Sequence, residues 1–527
     1  MKVAAGKLAI RAINQYRRRD VLAYLGLRYY LDNTAARSDR WAREVAPSLV
    51  IRRAGPSYFV VQHFKDIGAQ GNVIHRDIFV PSPNEALAEA ALIEACSTAG
   101  PAFQGDSRVF SYLFPSTDES NGIFQNYMLG LRARHQAIAE ACKQSPNAEV
   151  LFLDVQSFYP SVSTSVARDA WLRACERSTL PKPFVELGVR ILSDYSTVLA
   201  KTKTKTKTGI EGGLLTGPMF SHLVANLILR EVDERLKTGP AQYFRYVDDM
   251  TLVGDRRQVE ESTNLINQRL EVLGLNVHGK ESAKSISVTA AEWLESEHDY
   301  SHERSGLSWM TLIGDVKRLI LLHPEVADTL AASLAREDFR LPLPDYTAAV
   351  GERGFAMRMR DLMKSRWFQA RVRPLSVAHI LEQARLLRHR YTKEAKTLTE
   401  QLLQASNFQS KRLLPRLRYR LGRLAYLAES ERLGKLGTEV STISGMQFQS
   451  AICCAIASGQ VDEVIRMGAN AAQAVAQPLK LTTRPALTLI TDELAQPSDR
   501  YALAVFQLNG VDVIRDGFQQ HLVACNN

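Results

Sequence analysis

Paired cysteines are missing from this chain. Six cysteines occur in 527 residues (Cys96, Cys142, Cys175, Cys453, Cys454 and Cys525), and no two are spaced as CxxC. That spacing excludes a zinc knuckle and a disulfide framework, and it points to reduced thiols in a cytoplasm. Long apolar runs are missing too. None approaches the roughly 18 residues a membrane span needs, so no membrane partner is expected. The N-terminus, MKVAAGKLAIRAINQYRRR, holds no acidic residue before Asp20. It also lacks a continuous apolar stretch and a small-residue cleavage site, and reads as an amphipathic helix rather than a transit peptide. Acidic residues are scarce again between Gly351 and Lys435, where 20 Lys and Arg stand against 7 Asp and Glu. This excess of +13 exceeds the +10 of the whole chain, so the remainder is slightly acidic. A basic block in a near-neutral protein suggests a polyanionic partner, most often nucleic acid; a solvated helix face is the plainer alternative.

What is present is a soluble, globular composition, 45% hydrophobic and 23% charged, in a chain long enough for two to four domains. Its texture divides it into a helical N-terminal extension over 1–70, a mixed α/β region over 71–300 and a helix-rich region over 305–527. In the middle region EVLFLDV (149–155) has a buried-strand pattern, and QYFRYV and MTLVG are two short strands around Asp248 and Asp249. SHLVANLILREVDERL repeats apolar residues at helical spacing, and RRQVEESTNLINQRLEVLG is an amphipathic helix closed by Gly274. TVLAKTKTKTKTGIEGG alternates with period two and predicts a strand, whose lysines either guard a sheet edge or touch phosphates. After 305 several segments keep a 3.6-residue period without a clean repeat, which suits paired helices stacked in a solenoid. Cys453 and Cys454 lie on an apolar helix face and read as core. EHDYSHE, with His298 and His302, reads as a polar surface loop rather than a second metal site.

Two adjacent aspartates in a hairpin are usually structural, because Asp suits tight turns. Strand geometry would also send their side chains to opposite faces unless a turn intervenes. Asp154, at the end of the apolar strand VLFLDV, changes the weight. An unpaired carboxylate there is costly to desolvate. Carboxylates gathered at strand ends repel unless a divalent cation joins them, and oxygen ligands with substrate phosphates suit Mg²⁺. A pair of such ions can activate a hydroxyl and stabilise a leaving pyrophosphate.

LFLDVQSFYPSV, GGLLTGPMFSHLVAN and YFRYVDDM, in this order, resemble the A, B and C motifs of reverse transcriptases, and LGLNVHGKESAK resembles the D motif. The resemblance covers about 70–290 and implies an α+β fold of right-hand polymerase fingers and palm. It implies Asp154, Asp248 and Asp249 as catalytic metal ligands for Mg²⁺ or Mn²⁺, with the backbone of Val155 adding a ligand. Lys280 is the implied general acid, with Lys284 as the competing assignment. Tyr159, next to Phe158, matches the aromatic gate that excludes a 2′-hydroxyl and so selects dNTPs. Gly213, Thr216, Gly217 and Pro218 match the B-motif loop against the incoming nucleotide. Arg76 and Arg108 match finger residues that contact the triphosphate. DVQSFYPSV is also similar to the A motif of family B DNA polymerases, but those carry YxDTD where this chain has YVDD.

The chain departs from most reverse transcriptases where Thr216 replaces a Gln, and where a long helical region replaces a short thumb. No Cys/His endonuclease segment, retron signature or RNase H-like acidic constellation is present. The combination resembles the phage abortive-infection (Abi) reverse transcriptases and related bacterial defence enzymes. That resemblance implies an all-α, HEAT-like C-terminal domain and a homo-oligomer, a trimer or hexamer. It also implies template-independent DNA synthesis primed by a protein tyrosine, which leaves single-stranded DNA attached to the chain. Tyr16, Tyr29 and Tyr30 are the candidate primers. A templated enzyme using a bound RNA is the alternative. Arg416, Arg420 and Arg423, with Trp367, Tyr391 or Tyr419 as stacking partners, are the candidate contacts to single-stranded product.

Overall fold

A computed structural model describes residues 7–17, 24, 26–27, 30, 40–52, 58–68, 70–115, 122–201, 212–279, 282, 284–297, 307–343, 375–479, 487–490 and 496–515. The described chain falls into two compact units, Met1–Val61 with Asp77–Ser301, and Gln62–Arg76 with His302–Asn527. The KTKTKTKT run from Thr202 onward, Tyr29, Lys280, His298, His302, Trp367 and Cys525 lie outside the described residues.

The first unit is built on a four-stranded antiparallel sheet. Its strands are β3 (Glu149–Asp154), β4 (Gln242–Tyr246), β5 (Asp249–Gly254) and β6 (Ile286–Thr289), in the order β4-β5-β3-β6. The run Met250–Val253 is buried throughout rather than alternately, because β5 lies inside the sheet. Helix α1 (Lys7–Arg17), a π-turn (Trp41–Val45) running into α2 (Ala46–Arg52), α6 (Lys182–Lys201) and α7 (Met219–Leu236) surround α3 (Pro83–Thr98). Ten residues of α3 are buried, so this helix is apolar on every side, as a central helix must be. Asn126 caps α4 (Tyr127–Gln144), and Ser163 caps α5 (Thr164–Glu176). A reciprocal Asp255–Gln258 capping box starts α8 (Arg256–Val272), and Gly274, at φ +69°, follows its end. A second box, Thr289–Glu292, starts α9 (Ala290–Leu294).

The strand expected from Thr197 onward is corrected as far as it is described: α6 runs through Lys201. Leu187, Ile191, Leu192, Tyr195, Val198 and Leu199 are buried at helical spacing, and this apolar face carries the helix past the start of the alternation. The helical reading of 1–70 is corrected as well. β1 (Tyr58–Ile67) pairs with β2 (Val73–Pro81), so a boundary at 70/71 falls in the turn of a hairpin.

The hairpin tip belongs to the second unit. The Phe64 amide donates to Asn470 Oδ1 at 3.0 Å, and His75 Nε2 meets the Arg466 carbonyl at 2.9 Å. The rest of this unit is α10 (Trp309–Leu322), α11 (Ala327–Arg336), α12 (Val377–Leu403), α13 (Asn407–Leu427), α14 (Ser430–Val440), α15 (Gln447–Ser458), α16 (Asp462–Met467), α17 (Ala469–Leu479) and α18 (Pro497–Leu508). Neighbours in sequence pack as pairs: α12 with α13, α14 with α15, α17 with α18. The buried Arg340 donates to the Ala428 carbonyl at 2.7 Å, satisfying the C-terminal end of α13. The unit is not all-α as expected, since β7 (Leu487–Leu489) and β8 (Val513–Arg515) pair in parallel. Each has only three residues, too few for a sequence period to register. Cys96, Cys142, Cys175, Cys453 and Cys454 are free thiols, and Cys453 is buried as expected. No described helix is long and apolar enough to cross a membrane.

Candidate active site

β3 and β5 run antiparallel with Asp154 opposite Asp249, and β4 pairs with β5 so that Tyr246 also opposes Asp249. Val247 and Asp248 are left as the turn, which resolves the alternation problem. The pair is not two consecutive strand residues, because Asp248 lies in the turn and Asp249 opens β5. The turn is strained. Val247 has φ +57°, a left-handed conformation that costs a β-branched residue roughly 1–2 kcal/mol.

A buried network holds that strain. The Val247 amide donates to Ser111 Oγ at 2.8 Å, and Arg245 Nη1 donates to the Val247 carbonyl at 2.9 Å. Arg245, 1% exposed, makes a bidentate pair with Asp233 of α7 at 2.7 and 2.6 Å. Tyr243 donates its hydroxyl to the same carboxylate, and Asn226 links Arg245 Nη1 to the Ser111 carbonyl. The Asp233 carboxylate raises the Arg245 pKa, although burial acts to lower it. None of these residues was expected from sequence, since a lone Arg or Asp in a strand or helix carries no spacing signal.

Burial, then Asp249, then Asp154 push the Asp248 carboxyl up to about 6, with Lys284 opposing them. Asp154 is buried, and its Oδ2 meets Lys284 Nζ at 2.5 Å and His278 Nε2 at 3.4 Å. The Asp154 carbonyl accepts the His278 amide at 2.9 Å, and the Val155 amide donates to the Asp248 carbonyl at 3.4 Å. Of the two lysines weighed, Lys280 lies outside the described residues and Lys284 meets Asp154, and His278 is an addition the sequence did not suggest.

These residues fit a hard divalent cation. The donors are carboxylate oxygens, and their mutual repulsion is a deficit of positive charge that Lys284 relieves in part. Among the described residues no group of three or more His, Cys, Asp and Glu side chains is arranged to hold a metal ion. Mg²⁺ does not need one, as it usually takes one or two carboxylates and completes its shell with water and substrate phosphates. One or two of the Asp154, Asp248 and Asp249 carboxylates would hold such an ion, which would supply charge stabilisation to a phosphoryl-transfer reaction.

The B-motif loop lies against both neighbouring segments. The Gly213 amide donates to the Val162 carbonyl at 2.7 Å, and a Cβ at Gly213 would meet Ser163 and Thr164 backbone at 2.8 Å. The Thr216 carbonyl accepts the Phe79 amide at 2.8 Å; Gly217 has φ +127°, and a Cβ there would meet the Phe79 carbonyl oxygen at 2.6 Å. Pro218 is the N-cap of α7. Behind it the buried Glu89 of α3 accepts the Phe220 amide at 3.1 Å, Tyr58 Oη at 2.7 Å and Tyr195 Oη at 3.0 Å. Burial raises the Glu89 carboxyl to about 7 against these hydrogen bonds. Phe158 is buried, while Tyr159 is half-buried with its hydroxyl on His222.

The other expected residues have their own neighbours. Arg108 donates to the Leu236 carbonyl at 3.0 Å, at the opposite end of α7 from Gly217. It thereby satisfies a helix C-terminus. Arg76 is exposed in the hairpin segment of the second unit. Tyr16 is 3% exposed and belongs to the core, and Tyr30 is half-buried with its hydroxyl donating to Asn84 at 2.8 Å. Arg420 pairs with Glu394 at 2.5 Å and lies over Tyr391, and Arg423 lies over Trp309 and Tyr419. Both arginines bind helices of their own unit together; Arg416 is exposed. Tyr391 is fully buried and accepts the Trp309 amide, which removes it as a stacking platform, whereas Tyr419 is 40% exposed.

Residues 105–294 match the family model described as Reverse transcriptase (RNA-dependent DNA polymerase). The match spans roughly a third of the chain and includes Asp154, the B-motif loop, Asp248, Asp249 and Lys284. This segment is similar to reverse transcriptase domains, and that likeness implies nucleic-acid polymerase activity on nucleotide and nucleic-acid substrates. Such domains generally use divalent ions such as Mg²⁺. No individual curated protein matches the chain.

Proposed function

We propose that the chain is a DNA polymerase of reverse transcriptase type that joins dNTPs at Asp154, Asp248 and Asp249 with Mg²⁺. The observation that carries this reading is the crowding of the three carboxylates, which lifts Asp248 to about 6 at a strained hairpin turn. Tyr159 lies under the incoming sugar and selects deoxyribose, and the Gly213–Pro218 loop meets the base and template. The finer reading is an abortive-infection enzyme, acting in bacterial antiphage defence, that primes DNA on one of its own tyrosines without a template. Thr216 in the place of a Gln and the long helical region support it. Tyr16 is too buried to act as primer without rearrangement, so Tyr29, Tyr30 or a further tyrosine would serve.

A second reading, RNA-templated synthesis on a bound RNA, is favoured by the description of the matching family itself. One assay separates the two. Purified protein is incubated with Mg²⁺ and labelled dNTPs, with and without prior nuclease treatment, and then denatured. Label that remains covalently attached to nuclease-treated protein supports protein priming. Free product that requires added RNA supports templated synthesis and ends the priming proposal.

A further inference from the structure

Resting on the reading of Tyr159 as the residue beneath the incoming sugar, we propose that His222 is the positioning residue that sets deoxyribose preference. Tyr159 sits on a one-turn helix, Phe158–Ser161, just beyond Asp154. Its hydroxyl lies 2.5 Å from His222 Nδ1, and the two rings meet edge to face at 5.4 Å and 89°. His222 follows the B-motif loop on α7 and is 2% exposed. Tyr112 stacks on the imidazole with centroids 4.0 Å apart and planes 5° from parallel. Tyr112 is itself constrained, with φ +51° and its ring edge against Phe124 at 5.3 Å. The chain Phe124–Tyr112–His222–Tyr159 thus runs from packed aromatic rings to the phenol at the site.

The chemistry explains why such a chain matters. A soft apolar pocket rejects an added hydroxyl weakly, so an aromatic gate discriminates only if its ring does not yield. A phenol anchored at Cα alone can swing about two side-chain torsions. A hydrogen bond at the far end, to an imidazole held by stacking, removes that freedom. A neutral imidazole with its proton on Nε2 accepts from the phenol through Nδ1.

The test uses full-length protein with Mg²⁺ and compares kcat/KM for dATP and ATP. His222→Phe keeps a ring for Tyr112 and loses the hydrogen-bonding nitrogen; His222→Asn keeps an acceptor near Nδ1 and loses the ring. His222→Phe is expected to lower the dATP/ATP ratio about tenfold, chiefly through better use of ATP, the size one hydrogen bond allows. His222→Asn is expected to hold the ratio within about threefold of wild type. In a Tyr159→Phe background, His222→Phe is expected to change the ratio no further, because the bond is already absent. If His222→Phe fails to fold, Tyr159→Phe removes the same hydrogen bond from its other end and is expected to lower the ratio likewise. An active variant whose rates with dATP and ATP fall equally overturns the proposal, as does an undiminished effect without the Tyr159 hydroxyl. Wild-type protein that incorporates neither nucleotide overturns the polymerase reading, and this proposal with it.

Discussion

Asp154 and Asp249 face each other as register partners across β3 and β5, and the Val155 amide beside Asp154 donates to the Asp248 carbonyl. Two strands and one turn therefore bring three carboxylates to a single sheet end. Sequence order alone places Asp154 and Asp248 94 residues apart. The consequences of crowding charge there, and of the buried groups that hold it, can be measured.

Without a metal, the raised Asp248 pKa works against the fold. Its folded value of about 6 lies above the ordinary 3.8, so the folded state binds more protons and loses stability as pH rises from about 4 through 6. A bound cation reverses this cost. Mg²⁺ is expected to raise the melting temperature at pH 7.5, to do so much less at pH 5, and to lose most of its effect in Asp248→Asn. A melting temperature indifferent to Mg²⁺ at both pH values would count against metal binding by these carboxylates.

Arg245→Ala leaves Asp233 buried without its partner and the Val247 carbonyl without its donor. Breaking such a pair costs roughly 3–5 kcal/mol, a fall in melting temperature on the order of 10 °C. Arg245→Lys keeps the charge and loses the bidentate fork, so it should recover only part of this. Thermal melts of both variants check the claim. Arg245→Lys matching wild type would show that the fork is dispensable.

Glu89 offers a second pH test with its own window. Its carboxyl rises from 4.5 to about 7, so its contribution falls as pH rises from about 4.5 through 7. The difference amounts to roughly 3 kcal/mol between the ends of that range. Glu89→Gln removes the charge: its oxygen can accept the Phe220 amide while its NH2 donates to the Tyr58 and Tyr195 oxygens, reversing those two bonds. Wild type is expected to lose melting temperature between pH 5 and 8 more steeply than Glu89→Gln. Parallel curves would contradict the assignment.

Gly217→Ala places a Cβ 2.6 Å from the Phe79 carbonyl oxygen at a φ of +127°. The expected cost is about 1–3 kcal/mol, accompanied by a displaced loop and at least about a tenfold loss of nucleotide incorporation. Incorporation kinetics and a melt of the same variant check both. Wild-type rates would show that the loop does not contact the nucleotide.

Three of the four sheet strands, β3, β4 and β5, and the helices after the B and C motifs were legible, because apolar periodicity is a local signal. Gly274 marked the end of α8 in the sequence. The carboxylates were legible as a motif, but their geometry was not. The strain at Val247 is set by Ser111 and Arg245, which bond to it only in the folded chain. Long-range partners such as Glu89 and His222 are separated from their contacts by 131 and 63 residues, and no spacing announces them. Lys201 was misread because alternation begins before the apolar helix face ends. The partners of Arg420 and Arg423 were not legible, because a basic helix face looks alike whether it meets phosphate or its neighbours' tyrosine, tryptophan and glutamate side chains.

The most direct measurement is incorporation of labelled dNTPs by purified wild-type protein and by Asp248→Ala, with Mg²⁺ and with EDTA, both with and without added RNA. The account predicts DNA synthesis by wild type with Mg²⁺ in at least one RNA condition, and none by Asp248→Ala or in EDTA. Equal incorporation by Asp248→Ala, or none by folded wild type under any of these conditions, would contradict it.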